Sequence, residues 1–277
     1  MKILPAPLFQ LARRFMTSLQ SDGLGGAFRH ARQRLGASLK KNGLRGTLIR
    51  AFHKPPVAAP IPIAEIPHPF DLEHGTDTGG YIQSSNLPQV TLSSLYTNAY
   101  FGISPSAVAQ AIALLPIQPE NFTFMDIGCG KGRALRVAAQ FPFRQIVGVE
   151  LVPELCAIAR SNIARNPDWA ARISVLTHDA ATVAFPSTPL VLFMFHPFNA
   201  PVLKRVLANL ERSLRVSPRE TYLLYVQNPR FTQVLESFPF LREVSETAVP
   251  LSPEDAAAHP GRRTHESVTV YSANLPI

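Results

Sequence analysis

The sequence predicts an α/β protein. It predicts a doubly wound, seven-stranded, mostly parallel sheet with an antiparallel last strand, preceded by a basic helical N-terminal extension. Three observations predict it. An apolar run at 122–127 breaks into glycines at 128, 130 and 132 and passes at once into a helical pattern from Ala134. That is strand, tight turn and helix. Further apolar runs alternate with helical patterns through the rest of the chain, which implies right-handed crossovers between parallel strands. Charge is also segregated. Residues 1–54 hold eleven Lys or Arg against the single acid Asp22, a net +10, so the remainder carries −2 of the total +8.

The first 54 residues form the basic arm. Asp22-Gly23-Leu24-Gly25-Gly26 is echoed by Asn42-Gly43-Leu44-Arg45-Gly46, each followed by a mixed apolar and basic run. Short amphipathic helices with glycine breaks are expected, suited to an anionic membrane surface or, with less reason, to nucleic acid. A solvated extension packed on the domain is the alternative. Residues 55–69 contain six prolines and read as an extended linker. The domain proper is then 70–277.

Within that domain, Phe70 to Ile82 is polar and glycine-rich with no clear period. Tyr96 and Tyr100 follow at the spacing of one helix face or loop wall. A helix is expected over Ser106–Leu115, with Pro105 near its start. Strands are expected at 122–127, 145–150, 173–178, 190–195 and 221–226. Helices lie between them, from Pro153 and over 200–214, and a short one begins at Arg230. Val244–Val249 and Ser267–Tyr271 read as a closing antiparallel pair. The run Leu190–Phe195 is continuously apolar, as a central parallel strand must be.

Length and 46% hydrophobic content allow one large core. The two cysteines, Cys129 in the glycine loop and Cys156 on a helix, are not placed to pair, which suits a reducing, cytoplasmic setting. The uncharged apolar runs are too short to span a bilayer, and Arg13-Arg14 interrupts any secretory pattern. No metal-ligand set is read.

The glycine loop carries the functional signal. A dinucleotide fingerprint needs a third glycine at 133, where Arg133 stands, and a phosphate loop needs Lys-Ser or Lys-Thr. What stands instead is Asp126-x-Gly128-x-Gly130-x-Gly132, with an acid at the strand end, suited to a cationic ligand. Glu150 closes the next strand, placed to accept from two ribose hydroxyls. Asp179 closes the third. Either acid alone is as well read as a cap.

Together, Asp77-Thr78-Gly79, Asp126 to Arg133, Gly148-Val149-Glu150, Asp179-Ala180 and Pro197-Phe198 resemble the class I S-adenosylmethionine (SAM)-dependent methyltransferases, in particular little-characterised bacterial members. The resemblance spans about residues 70–275. It implies SAM as cofactor, held by Asp126, Gly128, Gly130, Gly132, Glu150, Asp179 and Ala180, with Asp179 at the adenine amino group and the Ala180 N–H reading the ring. It also implies that the segment before the first strand folds back over the cofactor. Asp77, Tyr96 and Tyr100 are then substrate-side candidates.

The fourth strand ends in His196-Pro197-Phe198, where amino-methylating relatives carry Asn or Asp, two prolines and an aromatic residue. His in place of the acid or amide, and a single proline, weigh against DNA-base methylation. His196 is a candidate general base. The alternative is a ring that shapes the turn. Asn228, after the fifth strand, is a second polar group on that rim. The expected function is methyl transfer to a small molecule or protein. Nucleic-acid methylation and a non-catalytic scaffold docked by the arm are the alternatives.

Overall fold

The computed structural model describes residues 68–88, 91–226, 231–259 and 263–275. The expectations for the arm, for nearly all of the linker and for Asn228 lie outside these residues.

The seven-stranded sheet forms as the sequence implied. Its strands are β3 (Thr123–Ile127), β4 (Gln145–Glu150), β5 (Ile173–Thr177), β6 (Leu190–Phe195), β7 (Thr221–Val226), β8 (Leu241–Pro250) and β9 (His265–Ala273). Their spatial order is β5-β4-β3-β6-β7-β9-β8. The β3 to β7 neighbours run parallel, while β9 lies antiparallel to both β7 and β8. The chain leaves β3 toward β4 and β5, then returns to the other side of β3 with β6. That reversal opens a crevice at the carboxyl ends of β3 and β6.

Helices cover both faces because the central strands are apolar on both. Alternate residues of each strand serve opposite cores. Phe124, Ile146, Val191 and Phe193 pack under α2 (Pro105–Ala113), α3 (Arg133–Ala138) and α4 (Pro153–Ala164). Met125, Val147, Leu192 and Met194 pack under α6 (Ala200–Val216) and α7 (Thr232–Glu236). On α6 the buried residues Val202, Leu203, Val206, Leu207, Leu210 and Leu214 make one apolar stripe. Burying such a stripe contributes on the order of 1.5–3 kcal/mol per large side chain.

The segment before β3 has more structure than its sequence pattern showed. Pro69, read as the last linker residue, is the first residue of α1 (Pro69–His74), capped when His68 Nδ1 accepts from the Phe70 N–H at 3.2 Å. Two-residue strands β1 (Tyr81–Ile82) and β2 (Tyr100–Phe101) pair antiparallel, and a 3₁₀ turn runs over Leu92–Tyr96. Two short helices also escaped the pattern, α5 (Pro167–Ala170) and α8 (Pro253–Ala258). β8 starts at Leu241 and ends at Pro250, beyond the expected Val244–Val249, and β9 runs from His265 to Ala273, beyond Ser267–Tyr271 at both ends, while a bulge between Glu243 and Ser245 shifts the register.

Candidate active site

The carboxyl ends of β3, β4 and β6 open into a cavity of about 510 Å³. This lies within the range of small-molecule and cofactor sites. Asp126, Gly128, Glu150, Asp179, Ala180, His196, Pro197, Phe198 and Tyr100 all line it. Strand ends and loops from five stretches far apart in sequence therefore meet at one crevice.

The glycine loop folds against the sheet. The Gly128 and Cys129 N–H groups donate to Val149 O, at 2.8 and 3.1 Å, and Gly132 N–H donates to Cys129 O. Gly130 N–H donates to Glu150 Oε2 at 3.0 Å. The loop thus spends these N–H groups inside the protein and offers no fan of donors to a phosphate. Gly128 has φ +82°, and a Cβ there would lie 2.4 Å from Pro197 Cβ. Gly130 has φ +53°, and a Cβ there would lie 2.3 Å from the Tyr100 ring. Only glycine fits either place.

Asp126 and Glu150 are both buried. Burial, and secondarily the Glu150 charge, push Asp126 well above the usual carboxylate range. Burial also raises Glu150, though N–H groups of Val152, Gly130 and Leu151 oppose the shift. Glu150 Oε1 accepts from Leu151 and Val152 at 2.8 and 2.9 Å. Three backbone donors fix this carboxylate and leave part of its lone-pair capacity for a ligand. Two buried carboxylates and no phosphate cradle suit a ligand with a cationic end and hydroxyl donors. The residues present fit SAM. Asp179 accepts from Ser93 Oγ at 2.7 Å and from Ala181 N–H at 2.9 Å.

Not every expected residue reaches the cavity. Gly132 packs on Ala159, and Gly130 lies beneath Tyr100. Tyr96 packs into the α6 core, its carbonyl accepting from Asn199 N–H. The 3₁₀ turn over Leu92–Tyr96 sets it beside the α6 cluster and apart from the residues that line the cavity. Asp77 accepts from Lys131 Nζ at 2.6 Å and is 63% exposed in its side chain, outside the cavity wall. Tyr100 does line the cavity, with its hydroxyl donating to Thr78 O at 2.8 Å.

Sequence reading missed the fastenings. Arg133 is 4% exposed and donates to Thr78 Oγ1, Ile103 O and Asp71 Oδ2. Lys131 Nζ donates to Gly79 O as well as Asp77. Asn162 on α4 donates to the carbonyls of both Asp77 and Lys131 and accepts from Asp77 N–H. These side chains rivet residues 71–103 to the glycine loop. The basic residues within the loop were the available signal, since a buried cation requires a partner.

The far end of the cavity is aromatic. Phe101 meets Phe195 edge to face with ring centres 5.0 Å apart. His196 has φ +42°, the sole non-glycine residue with positive φ among those described. Its ring stacks on Phe231 at 5.3 Å and its Nδ1 lies 3.4 Å from the Tyr225 hydroxyl. Asn98 holds the turn, with Nδ2 donating to His196 O at 2.8 Å and its N–H donating to Pro197 O at 3.1 Å. Thr97 bridges Phe198.

Residues 124–217 match a family model described as a methyltransferase domain. Similar solved structures include TrmN from Thermus thermophilus (15% identity, TM-score 0.45, 62% of this chain), of whose length the chain spans about half, 49%. A SAM-dependent methyltransferase from Aquifex aeolicus shares 14% identity, with TM-score 0.45, over 62% of this chain and 92% of that one. A Haloferax volcanii complex of the Trm112 methyltransferase activator with a methyltransferase gives 16% identity and TM-score 0.47, over 62% and 90%. No curated protein matches.

Proposed function

We propose that the chain is a class I, Rossmann-like, SAM-dependent methyltransferase that methylates a small-molecule acceptor, a reading supported by the match of residues 124–217 to a methyltransferase-domain model. The observation that carries this is the far end of the cavity. It is walled by Phe101, Phe195 and Phe198 and roofed by Thr97 and Asn98. Such a space favours a compact acceptor with an apolar, planar face.

When bound, the cofactor supplies an electrophilic methyl group on a sulfonium. Asp126 and Glu150 would hold its cationic and hydroxyl groups, and Asp179 its adenine. The protein's main task is then alignment of the acceptor, with little acid–base work. His196, whose Nδ1 lies 3.4 Å from the Tyr225 hydroxyl, is the candidate general base for an acceptor hydroxyl or amine. Pro197 and Phe198 shape the wall beside it. Asp77 braces the loop through Lys131, and Asn228 lies outside the described residues.

Incubation with methyl-labelled SAM and fractionated cell extract tests the reading. Label is expected in the low-mass fraction. Label confined to protein or nucleic acid overturns the acceptor class, and a folded protein that binds no SAM overturns the enzyme.

For residues 1–54 we propose attachment to an anionic membrane surface, supported by their +10 charge beside Phe9, Phe15, Phe28 and Phe52. Each basic residue near such a surface contributes about 1 kcal/mol. No helix among the described residues is long and apolar enough to cross a membrane. Removal of the chain before Pro60 is expected to abolish cosedimentation with anionic vesicles. Equal sedimentation of both forms sinks this idea.

A further inference from the structure

We propose that Ser93 is a positioning residue for the cofactor's adenine, acting through Asp179. The proposal rests on the reading of Asp179 as the adenine contact.

Ser93 is 3% exposed and sits in the 3₁₀ turn at Leu92–Tyr96, at the cavity wall. The turn is fixed at its start in both directions. Ser93 N–H donates to Thr91 Oγ1 at 3.1 Å, and Thr91 N–H donates to Ser94 Oγ at 3.0 Å. The Ser93 hydroxyl has one proton, and it goes to Asp179 Oδ2 at 2.7 Å. Arg205 Nη1, on α6, donates back to the same Oγ at 3.3 Å. Ala181 N–H takes the other carboxylate oxygen, Oδ1, at 2.9 Å.

A donor on each oxygen fixes the plane of the carboxylate. Each oxygen retains lone-pair capacity for a further donor. Ser93 has no proton left for a ligand, so its effect passes through Asp179. The fixed carboxylate can accept from the 6-amino group of adenine. It meets the 6-oxo group of hypoxanthine, itself an acceptor, with repulsion. Removal of Ser93 Oγ frees Oδ2, so the carboxylate turns and hydrates, and the amino group loses a preset partner.

The test compares two ligands by calorimetry on the full chain. They are S-adenosylhomocysteine and S-inosylhomocysteine, which differ at C6, amino against oxo, and with it at N1, acceptor against N–H donor. Wild type is expected to prefer the adenosine form by tenfold or more, the weight of one charge-assisted hydrogen bond. Ser93→Ala is expected to weaken the adenosine form about tenfold and to change the inosine form less than twofold. Retained inosine binding also shows that the variant folds. Equal weakening of both ligands overturns the proposal, because it would mean that Ser93 merely holds its segment in place. A preference that Ser93→Ala leaves undiminished overturns it too, and leaves Asp179 standing. A wild type without any preference overturns the Asp179 reading, and this inference with it.

Discussion

Arg133→Met is expected to destabilise the domain by about 3–5 kcal/mol, the cost of removing one partner of a buried ion pair. The structure gives the reason. Arg133 and Asp71 are 4% and 5% exposed in their side chains, with Nη2 and Oδ2 3.0 Å apart. Methionine fills the stem but abandons three acceptors, Asp71 Oδ2, Thr78 Oγ1 and Ile103 O. Asp71 keeps its donors from Thr76 and Thr78, which holds the cost within that range. For a folded unit of this size, each kcal/mol shifts the melting temperature by about 2–4 °C. A fall of roughly 6–20 °C is therefore expected by calorimetry. Asp71→Asn in the same background should recover part of it, because a neutral amide is cheaper to bury than a lone carboxylate. The pH dependence adds a check. Burial raises the Asp71 pKa, but hydrogen bonds from Thr78 and Thr76 and the Arg133 charge outweigh it, and the net shift is downward. A depressed acid stabilises fully above its unfolded pKa, about 3.9, and loses that contribution as pH falls through the folded value. The gap between wild type and Arg133→Met should therefore narrow below about pH 4. A melting shift under about 2 °C, or a gap that widens in acid, would refute the reasoning.

Three further outcomes are expected. Glu150→Ala should weaken SAM by about 1–3 kcal/mol, and by less in Glu150→Gln, which retains acceptor capacity. Unchanged affinity by calorimetry in the alanine variant would remove Glu150 from the ligand contacts. Gly130→Ala should abolish measurable SAM binding in a folded protein, since the added Cβ meets the Tyr100 ring at 2.3 Å in a backbone conformation that disfavours side chains. Retained affinity there would show that the Tyr100 contact is dispensable. Burial raises the pKa of both Asp126 and Glu150, and a cationic ligand favours their charged forms. The affinity ratio of SAM to neutral S-adenosylhomocysteine should therefore increase with pH across 5–8, and a flat ratio would count against these carboxylates as its partners.

The sheet was legible because β3, β4, β6 and β7 lie between neighbours and are apolar almost throughout, and a buried parallel strand has no other way to be written. The glycine loop was legible because its acid and glycines stand in a fixed local spacing. The fastenings were not legible. Lys131 and Arg133 read locally as helix-start cations, and nothing nearby announces partners 54 and 62 residues upstream. Residues 70–82 hid α1 for a related reason. Its stability comes from Asp71 reaching Arg133 and from the His68 ring, not from a periodic apolar face. Tyr96 and Tyr100 shared a spacing but not a conformation, so one packs against the α6 core and the other lines the cavity.

The strap over the loop has a consequence for the order in which the chain settles. Residues 71–103 leave the ribosome before every element they fasten to. Asp71 waits for Arg133, Ser93 for Asp179 and Asn98 for His196, at separations of 62, 86 and 98 residues. Ser106, just beyond, waits for Asp255, 149 residues later. Closures of that length are entropically slow and follow the assembly of the sheet. The strap, which gives no strand to the seven-stranded sheet, is therefore expected to dock last and open first. Amides of Ser93 to Asn98 should exchange with solvent well before those of β3 and β6. The cavity would thus receive its roof only after its floor is built, and could lose that roof while the floor stays folded.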